Sequence, residues 1–197
     1  AKHIAELDYE TMKGMANAGA RVLNAQAVEF AERAGIKILA RKTGTPVGKQ
    51  TEISKSAKQS FGVSAVVGVA GISRLKGVPQ EGPAAAISQI GGEPFVWNSA
   101  SEEEVWVHRT NIAQQGVERI EALAARLGME HFDEDAVTLV GSDLINKSLT
   151  EAKALLANEG ISISAMNAVG TRISFSFEKG MGNKVVVLLH KAFLEET

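Results

Sequence analysis

The chain has 197 residues, of which 45% are hydrophobic, and it carries a formal net charge of -2. This length can bury one large core or two small ones. The charges are interspersed and form no basic stripe that would bind nucleic acid. No apolar run is long enough to span a bilayer. Cysteine is absent, which excludes disulfides and thiolate chemistry and fits a cytoplasmic compartment. The N-terminus has no apolar secretory segment, and the scattered histidines predict no metal site.

The first 43 residues predict two helices followed by a strand. Asp8 is a plausible N-cap, Gly19 is expected to divide the helical segment 8–35, and Gly35 stands where a left-handed C-cap belongs. The second helix, 20–35, is predicted to bury one apolar face, which consists of Val22, Leu23, Ala27, Phe30, Ala31 and Ala34. The segment IKILAR that follows alternates as a strand.

Residues 44–61 predict a linker, because they are rich in glycine, serine and lysine and hold little that could fill a core. The segment GTPVGKQT at its start suggests a phosphate-binding loop. That loop needs four residues between its glycines and then Lys-Ser/Thr, whereas Gly44 and Gly48 enclose three and Gln50 replaces the hydroxyl residue. We therefore expect a flexible connection here and no phosphate site.

Beyond the linker, the order strand, helix, strand, strand, helix occurs twice, roughly 65 residues apart. The second copy lacks a last strand of its own, and the strand VSAVVGVAG, which precedes the first copy, is available to complete it. Its helix SLTEAKALLANEG is predicted to begin with a capping box of Ser148 and Glu151. The sequence thus predicts an α+β fold with two ferredoxin-like (βαββαβ) units packed side by side.

Each copy offers a candidate clamp for a free amino acid. The loops GVPQEGP and GSDLINKS each lead into a helix N-terminus, whose amides can hold a carboxylate, and Asn98 and Asn167 end the strands opposite. These residues fit an ordinary turn equally well. The acidic run 101–104 is predicted to be a solvated tip, and Trp97 and Trp106 are predicted to pack or form an interface. No local spacing assembles a catalytic centre.

These segments, in this order, resemble the C-terminal part of aspartate kinases. LDYETMKGMANAGARVLNAQAVEFAERAGIKILAR is similar to the end of the family's amino-acid-kinase catalytic domain, and LKGVPQEGPAAAI and ISISAMNAVGTRISFSF are similar to its tandem regulatory ACT domains. The resemblance implies a catalytic-domain segment over 1–43, a linker over 44–61, a strand over 62–70 that completes the second ACT domain, a first ACT domain over 71–135 and a second over 136–197.

The resemblance implies an amino-acid-sensing, allosteric portion of an aspartate kinase in the biosynthesis of lysine, threonine and methionine. The implied partners are a free amino acid, a catalytic kinase domain and a second copy of the chain. The expected amino acid is lysine or threonine. Nucleic acid and membrane are not expected as partners. The candidate effector-binding residues are Gly77, Val78, Gln80, Gly82, Ala84, Trp97, Asn98 and Asn167. The family's K-F-G-G-T-S-V signature is absent, so the chain alone is expected to be inactive. It is also expected to bind no cofactor, because ATP and Mg²⁺ belong to the kinase domain.

Three departures from the family pattern leave an alternative open. The effector loop D-K-P-G reads Q-E-G-P at 80–83, the motif H-P-R reads N-A-Q at 24–26, and Trp97 replaces the glutamine before Asn98. The lost aspartate and the reversed Pro-Gly order change the loop that would hold the ligand. The alternative is therefore a divergent ACT module that keeps its dimerisation role and no longer binds an effector.

Overall fold

The computed structural model describes residues 3–44, 48–57, 61–92, 94–99, 102–109, 112 and 116–195. The helices are α1 (Tyr9–Asn17), α2 (Ala25–Arg33), α3 (Pro83–Gln89), α4 (Gly116–Leu127), α5 (Ser148–Asn158) and α6 (Gly182–His190), which continues as a π-helical turn, Lys191–Glu195. The strands are β1 (Glu6–Leu7), β2 (Ile38–Ala40), β3 (Thr51–Ile53), β4 (Gly62–Gly77), β5 (Pro94–Ser99), β6 (Glu103–His108), β7 (Glu130–Ser142), β8 (Ala165–Val169) and β9 (Arg172–Glu178). Within these ranges, no helix combines the length and apolarity that crossing a membrane requires.

The two N-terminal helices form as predicted, but the second one starts later. The side chain of Asp8 accepts a hydrogen bond from the Thr11 amide and caps α1, which confirms the predicted N-cap. The side chain of Asn24 caps α2 in the same way, so this helix begins at Ala25 and not at residue 20. The earlier residues belong to the connection between the helices.

The predicted apolar face of α2 is wrong for Val22 and Phe30. Val22 lies before the helix and is 62% exposed, and Phe30 is 70% exposed, whereas the helix buries Val28 and Ala31. The six-residue pattern assumed one continuous helix from residue 20. Once Asn24 ends the preceding segment, a different stripe of the helix faces the core.

A short strand lies inside the segment that was predicted as a linker. Strand β3 pairs in parallel with β1 and antiparallel with β2, and Ile53 is fully buried in a cluster with Leu7 and Tyr9. The strand over 51–53 therefore contributes Ile53 to a core, contrary to the expectation from composition. Residues 45–47, at the centre of the glycine-containing loop, lie outside the described part of the chain.

A six-stranded sheet with the order β5-β6-β4-β7-β9-β8 forms the rest of the chain. The long strands β4 and β7 run through both halves of this sheet. The sequence pattern predicts two shorter strands in each: VSAVVGVAG and ISRLKGV in β4, and a brief strand around 129–132 followed by AVTLVG in β7. The pairing of β4 with β7 shifts between Val69 and Ile72, where Gly71 has a φ of +75° that favours glycine. This irregularity divides the sheet into a first half and a second half.

Each half has the strand order of a ferredoxin-like unit. In the second half, residues 62–69 of β4 pair with 136–142 of β7, so the strand before the first copy completes the second one, as predicted. In the first half, residues 72–76 of β4 pair with 130–134 of β7 and with β6. The α+β fold with two βαββαβ units is therefore confirmed.

The helices of each half cover one face of its sheet. Helices α3 and α4 bury Leu75, Val105 and Val107 of the first half, and α5 and α6 bury Phe175 and Phe177 of the second half. These apolar residues lie at every second strand position, so their side chains share a face. In β9 the apolar residues Ile173, Phe175 and Phe177 alternate with polar ones, which predicts one buried face, and the structure confirms it.

The opposite faces of the two halves lie against each other. The Arg172 guanidinium on β9 donates a hydrogen bond of 3.2 Å to the Phe95 carbonyl on β5, although three strands separate these two in the sheet order. Phe95 and Trp106 of the first half share a cluster with Ala136 and Ala165. We infer that the sheet bends near Gly71, and Ser174 and Ser176 of β9 are buried.

Candidate functional site

The predicted effector loop is an exposed connection at the end of β4. Gly77 ends the strand with a φ of +153°, and a Cβ there would lie 3.3 Å from the carbonyl oxygen of Gly128. The Gln80 amide donates a hydrogen bond of 3.1 Å to the Leu127 carbonyl, which ties the loop to the end of α4. Val78 is 69% exposed. The loop thus has a fixed backbone and side chains that are free to contact a ligand.

The helix that follows this loop offers fewer amide donors than the sequence suggested. Helix α3 has seven residues, its N-cap Gly82 makes no side-chain capping bond, and Pro83 stands at the first helical position. Proline has no N–H, so one donor of the first turn is missing. Ala84 supplies its backbone to this turn, and its side chain lies outside the described part. We infer that a ligand here depends more on side chains than on helix amides.

Trp97 and Asn98 lie on the edge strand β5, on opposite faces. Trp97 pairs with Val105, whose side chain is buried under α3 and α4, and Asn98 pairs with Glu104. Glu104 in turn pairs with Lys76 on β4. Asn98, Glu104 and Lys76 therefore form a row of polar side chains across the first half, while Trp97, which is 39% exposed, lies on the helix side.

Asn167, the candidate of the second copy, lies on the edge strand of the second half, away from the loop of the first half. Asn167 lies on β8, the other edge of the six-stranded sheet, opposite Ser174. The loop before α5 also differs from its prediction, because Ser148 is the first helical residue and Lys147, at the N-cap position, makes no side-chain capping bond. The predicted capping box of Ser148 and Glu151 is therefore wrong.

The two tryptophans have different environments. Trp106 is fully buried, and its indole Nε1 donates a hydrogen bond of 2.6 Å to Glu104 Oε1. Its ring contacts Phe95 edge to face, with the centroids 6.0 Å apart. Trp106 is thus a core residue, as the packing interpretation predicted, and only Trp97 offers ring surface to a ligand or partner.

A buried ion pair lies where the first half meets the second. Arg74 on β4 donates hydrogen bonds of 2.9 and 3.0 Å to the Glu134 carboxylate on β7, and its guanidinium stacks on the Phe132 ring at 4.1 Å. Burial raises the pKa of Glu134, but the hydrogen bonds and charge of Arg74 outweigh this and hold that pKa below its ordinary range. The hydroxyls of Ser164 and Ser176, both of the second half, also lower it.

Asp135 joins the halves at the bend, and sequence reasoning missed it. Its carboxylate accepts hydrogen bonds from the amides of Gly71, Gly180 and Gly182, at 2.8 to 3.0 Å. It thereby fixes the irregularity in β4 and caps the first turn of α6, whose own N-cap Met181 makes no capping bond. A cleft of about 690 Å³ lies beside it. The pair of glycines after β9 is the one sequence signal that points to this contact.

In the described part of the chain, no three histidine or acidic side chains are grouped so that they could hold a metal ion. We find no nucleophile paired with a base among the described side chains of the loop after β4, of the polar row at Asn98, or of the bend at Glu134 and Asp135. The geometry provides an exposed loop and edge strand in the first half, and the strands β4 and β7 continue from there into the second half.

Comparison with known proteins supports the predicted resemblance. No family model matches the chain. It is 27% identical to an aspartokinase from Geobacillus stearothermophilus over 212 aligned positions, which cover 98% of this chain and 51% of the relative. The chain therefore spans about half the length of that relative, and the resemblance to aspartate kinases is confirmed.

Solved aspartate kinases share the fold. The enzyme from Clostridium acetobutylicum matches with a TM-score of 0.74 at 17% identity, over 98% of this chain and 49% of its own. E. coli aspartokinase III matches with a TM-score of 0.75 at 16% identity in its complex with lysine and aspartate, over 98% of this chain and 47% of its own. With aspartate and ADP, the same enzyme matches with a TM-score of 0.78 at 18% identity, over 97% and 47%.

Proposed function

We propose that this chain is the amino-acid-sensing, regulatory portion of an aspartate kinase in the biosynthesis of lysine, threonine and methionine. The observation that carries the proposal is the similarity to aspartate kinases over 98% of the chain, combined with two ferredoxin-like halves that share β4 and β7. An effector regulates only when it binds one arrangement of the halves more tightly than another. The shared strands would pass such a difference from one half to the other.

The effector site of this proposal is the loop of the first half together with strand β5. The loop residues Gly77 to Ala84 supply backbone groups, and Trp97 supplies a partly exposed ring. Asn98 and Glu104 can accept hydrogen bonds from an ammonium group, and the Asn98 amide can donate one to a carboxylate. Lysine and threonine are the proposed effectors. Lysine has the further support that E. coli aspartokinase III, which shares this fold, was solved with lysine bound.

The proposed assembly is a homodimer that forms through the open edges of the sheet. Strands β5 and β8 each pair on one side only within the described chain, and an unpaired edge is a template for another strand. A second copy would also cover Trp97. The catalytic kinase domain, with ATP and Mg²⁺, would be the other partner, and the cytoplasm is the proposed location.

A thermal-shift panel of the twenty amino acids tests this function. A ligand at ten times its Kd stabilises the folded state by about 1.4 kcal/mol, which corresponds to about 3–6 °C for a chain of this length. Lysine or threonine is expected to give such a shift. Asn98→Ala is expected to abolish it, and Asn158→Ala, at an exposed position on α5, is expected to preserve it. If no amino acid raises the melting temperature, the sensing role is wrong.

A further inference from the structure

A large groove lies between the end of α1, the start of α2 and both halves of the sheet. Its volume is about 1200 Å³. The connection between α1 and α2 forms one wall, residues 66–70 of β4 form the floor, and Phe95, His108 and Arg172 form the other wall. Three parts of the chain therefore meet around it, and no part of the proposed effector loop lines it.

The charged lining of this groove has one sign. Among its described lining residues, Arg21 and Arg172 carry positive charge, His108 adds an imidazole, and none is acidic. Asn17 and Asn24 supply further polar groups. A cleft lined by charges of one sign focuses the field and raises the local concentration of counter-ions, so this groove attracts anions.

Arg172 is held in the groove with most of its donors unused. Its stem passes under α1, close to Gly14, and its guanidinium donates a hydrogen bond to the Phe95 carbonyl. No carboxylate of the described chain forms an ion pair with it, and burial lowers its pKa. A partly buried guanidinium without a counter-charge is unfavourable, and its planar fork matches carboxylate and phosphate oxygens.

His108 is held beside the same residue. Its ring stacks on that of Phe95, with the centroids 3.9 Å apart and the planes at 16°, and its Nε2 lies 3.4 Å from the Asn17 carbonyl oxygen. Gly19, in the opposite wall, approaches His108 so closely that a Cβ there would lie 3.1 Å from the ring. Phe95 thus holds both the imidazole and the guanidinium at one end of the groove.

We propose that this groove binds a small oxyanion, a carboxylate or phosphate group, through Arg172, with His108 and Arg21 beside it. Since the walls come from the N-terminal helices and from both halves of the sheet, the bound anion would link these three parts. The groove meets β5 at Pro94 and Phe95, whereas the effector site uses Trp97 and Asn98 at the other end of that strand. Asn98→Ala is therefore expected to leave anion binding unchanged, so that the two proposals fail independently.

Isothermal titration calorimetry at constant ionic strength tests the site, with inorganic phosphate as one probe and succinate as the other. Saturable binding of at least one probe is expected, and its identity distinguishes a phosphate ligand from a carboxylate ligand. Arg172→Gln is expected to weaken binding about tenfold or more, as the loss of a charge-assisted contact predicts. Arg172→Lys should recover part of this, because it keeps the charge. Arg33→Gln, at a 78% exposed side chain outside the groove, is the matched control and should change nothing.

Two results would overturn the proposal: no saturable binding of either probe by the folded chain, or unchanged binding in a folded Arg172→Gln variant. If that variant does not fold, Arg21→Gln decides, because Arg21 is exposed and its loss leaves the core intact. A severalfold weaker affinity in Arg21→Gln is the expected result. An affinity equal to that of the unmodified chain would contradict the site.

Discussion

Replacing Glu134 by glutamine is expected to destabilise the chain strongly. Arg74 and Glu134 are each 6% exposed and share two hydrogen bonds, so Glu134→Gln leaves a buried guanidinium without its counter-charge. Breaking a buried pair in this way costs about 3–5 kcal/mol, and the retained amide oxygen places the expected loss near 3 kcal/mol. For a chain of this length, that loss lowers the melting temperature by about 6–12 °C.

Urea denaturation followed by circular dichroism measures this effect. The matched control is Glu102→Gln, which removes an exposed ion pair with Lys76 and should cost less than about 1 kcal/mol. The double variant Arg74→Met with Glu134→Leu removes both charges and should be more stable than Glu134→Gln alone. If Glu134→Gln costs no more than the Glu102 control, the pair does not stabilise the junction between the halves.

The same pair gives a pH dependence with a defined sign. The pKa of Glu134 is lower in the folded chain than in the unfolded one. The stabilisation that the charged carboxylate gives to the fold is therefore present above the ordinary glutamate pKa of about 4.3, and it is lost as the pH falls through the folded pKa. The difference in stability between the unmodified chain and Glu134→Gln should therefore shrink in acid. A difference that stays constant from neutral pH to pH of about 3 would contradict this reasoning.

Three further predictions concern the packing around the sheet. Gly14→Val should cost about 2 kcal/mol, because a Cβ there lies 2.9 Å from Val140; a neutral result in urea denaturation would show that α1 can move away from β7. Asp135→Asn should cost about 2–4 kcal/mol, because a charged acceptor of backbone amides is lost, and hydrogen exchange should rise at Gly182; unchanged protection would contradict the capping role. Burial, together with the charge of Arg109, lowers the pKa of His131, so stability should fall as the pH drops through the unfolded value of about 6.5; His131→Gln should flatten this slope, and an unchanged slope would exclude His131 as its source.

The duplicated fold could be predicted because its signals are local and repeated. Ile173, Phe175 and Phe177 alternate with polar residues and predict the buried face of β9. Gly160, with a φ of +64°, ends α5 where the sequence indicated. Even the completion of the second half by β4 followed from counting strands, since the second copy lacked one and the first copy had one to spare.

Other features depend on contacts that no local pattern encodes. Phe30 has the spacing of a core residue in a helix that starts at residue 20. Because the helix starts after its N-cap Asn24, Phe30 lies on the exposed side. Ile53 stands alone in a polar segment, and the burial comes from strands on either side of it. For Asp135, the three amides that it accepts from lie 45 to 64 residues away, so a search for spaced motifs does not find it.

The structure places only some of the predicted site residues close together. The loop from Gly77 to Gly82 and the strand with Trp97 and Asn98 lie at the same end of the first half, because β4, β6 and β5 are neighbours. The sequence did not reveal that Trp97 and Asn98 face opposite sides. Asn167, predicted for the equivalent site of the second copy, lies on β8, which is the corresponding edge strand of the second half.

The most direct test of the sensing role is calorimetric titration of the chain with lysine and with threonine, repeated on Asn98→Ala. The account predicts saturable binding of at least one of them, with an affinity reduced about tenfold or more by the loss of the Asn98 amide. It also predicts that Asn158→Ala binds as the unmodified chain does. Absence of binding for both amino acids, or binding that Asn98→Ala leaves unchanged, would contradict an effector site at the edge strand of the first half.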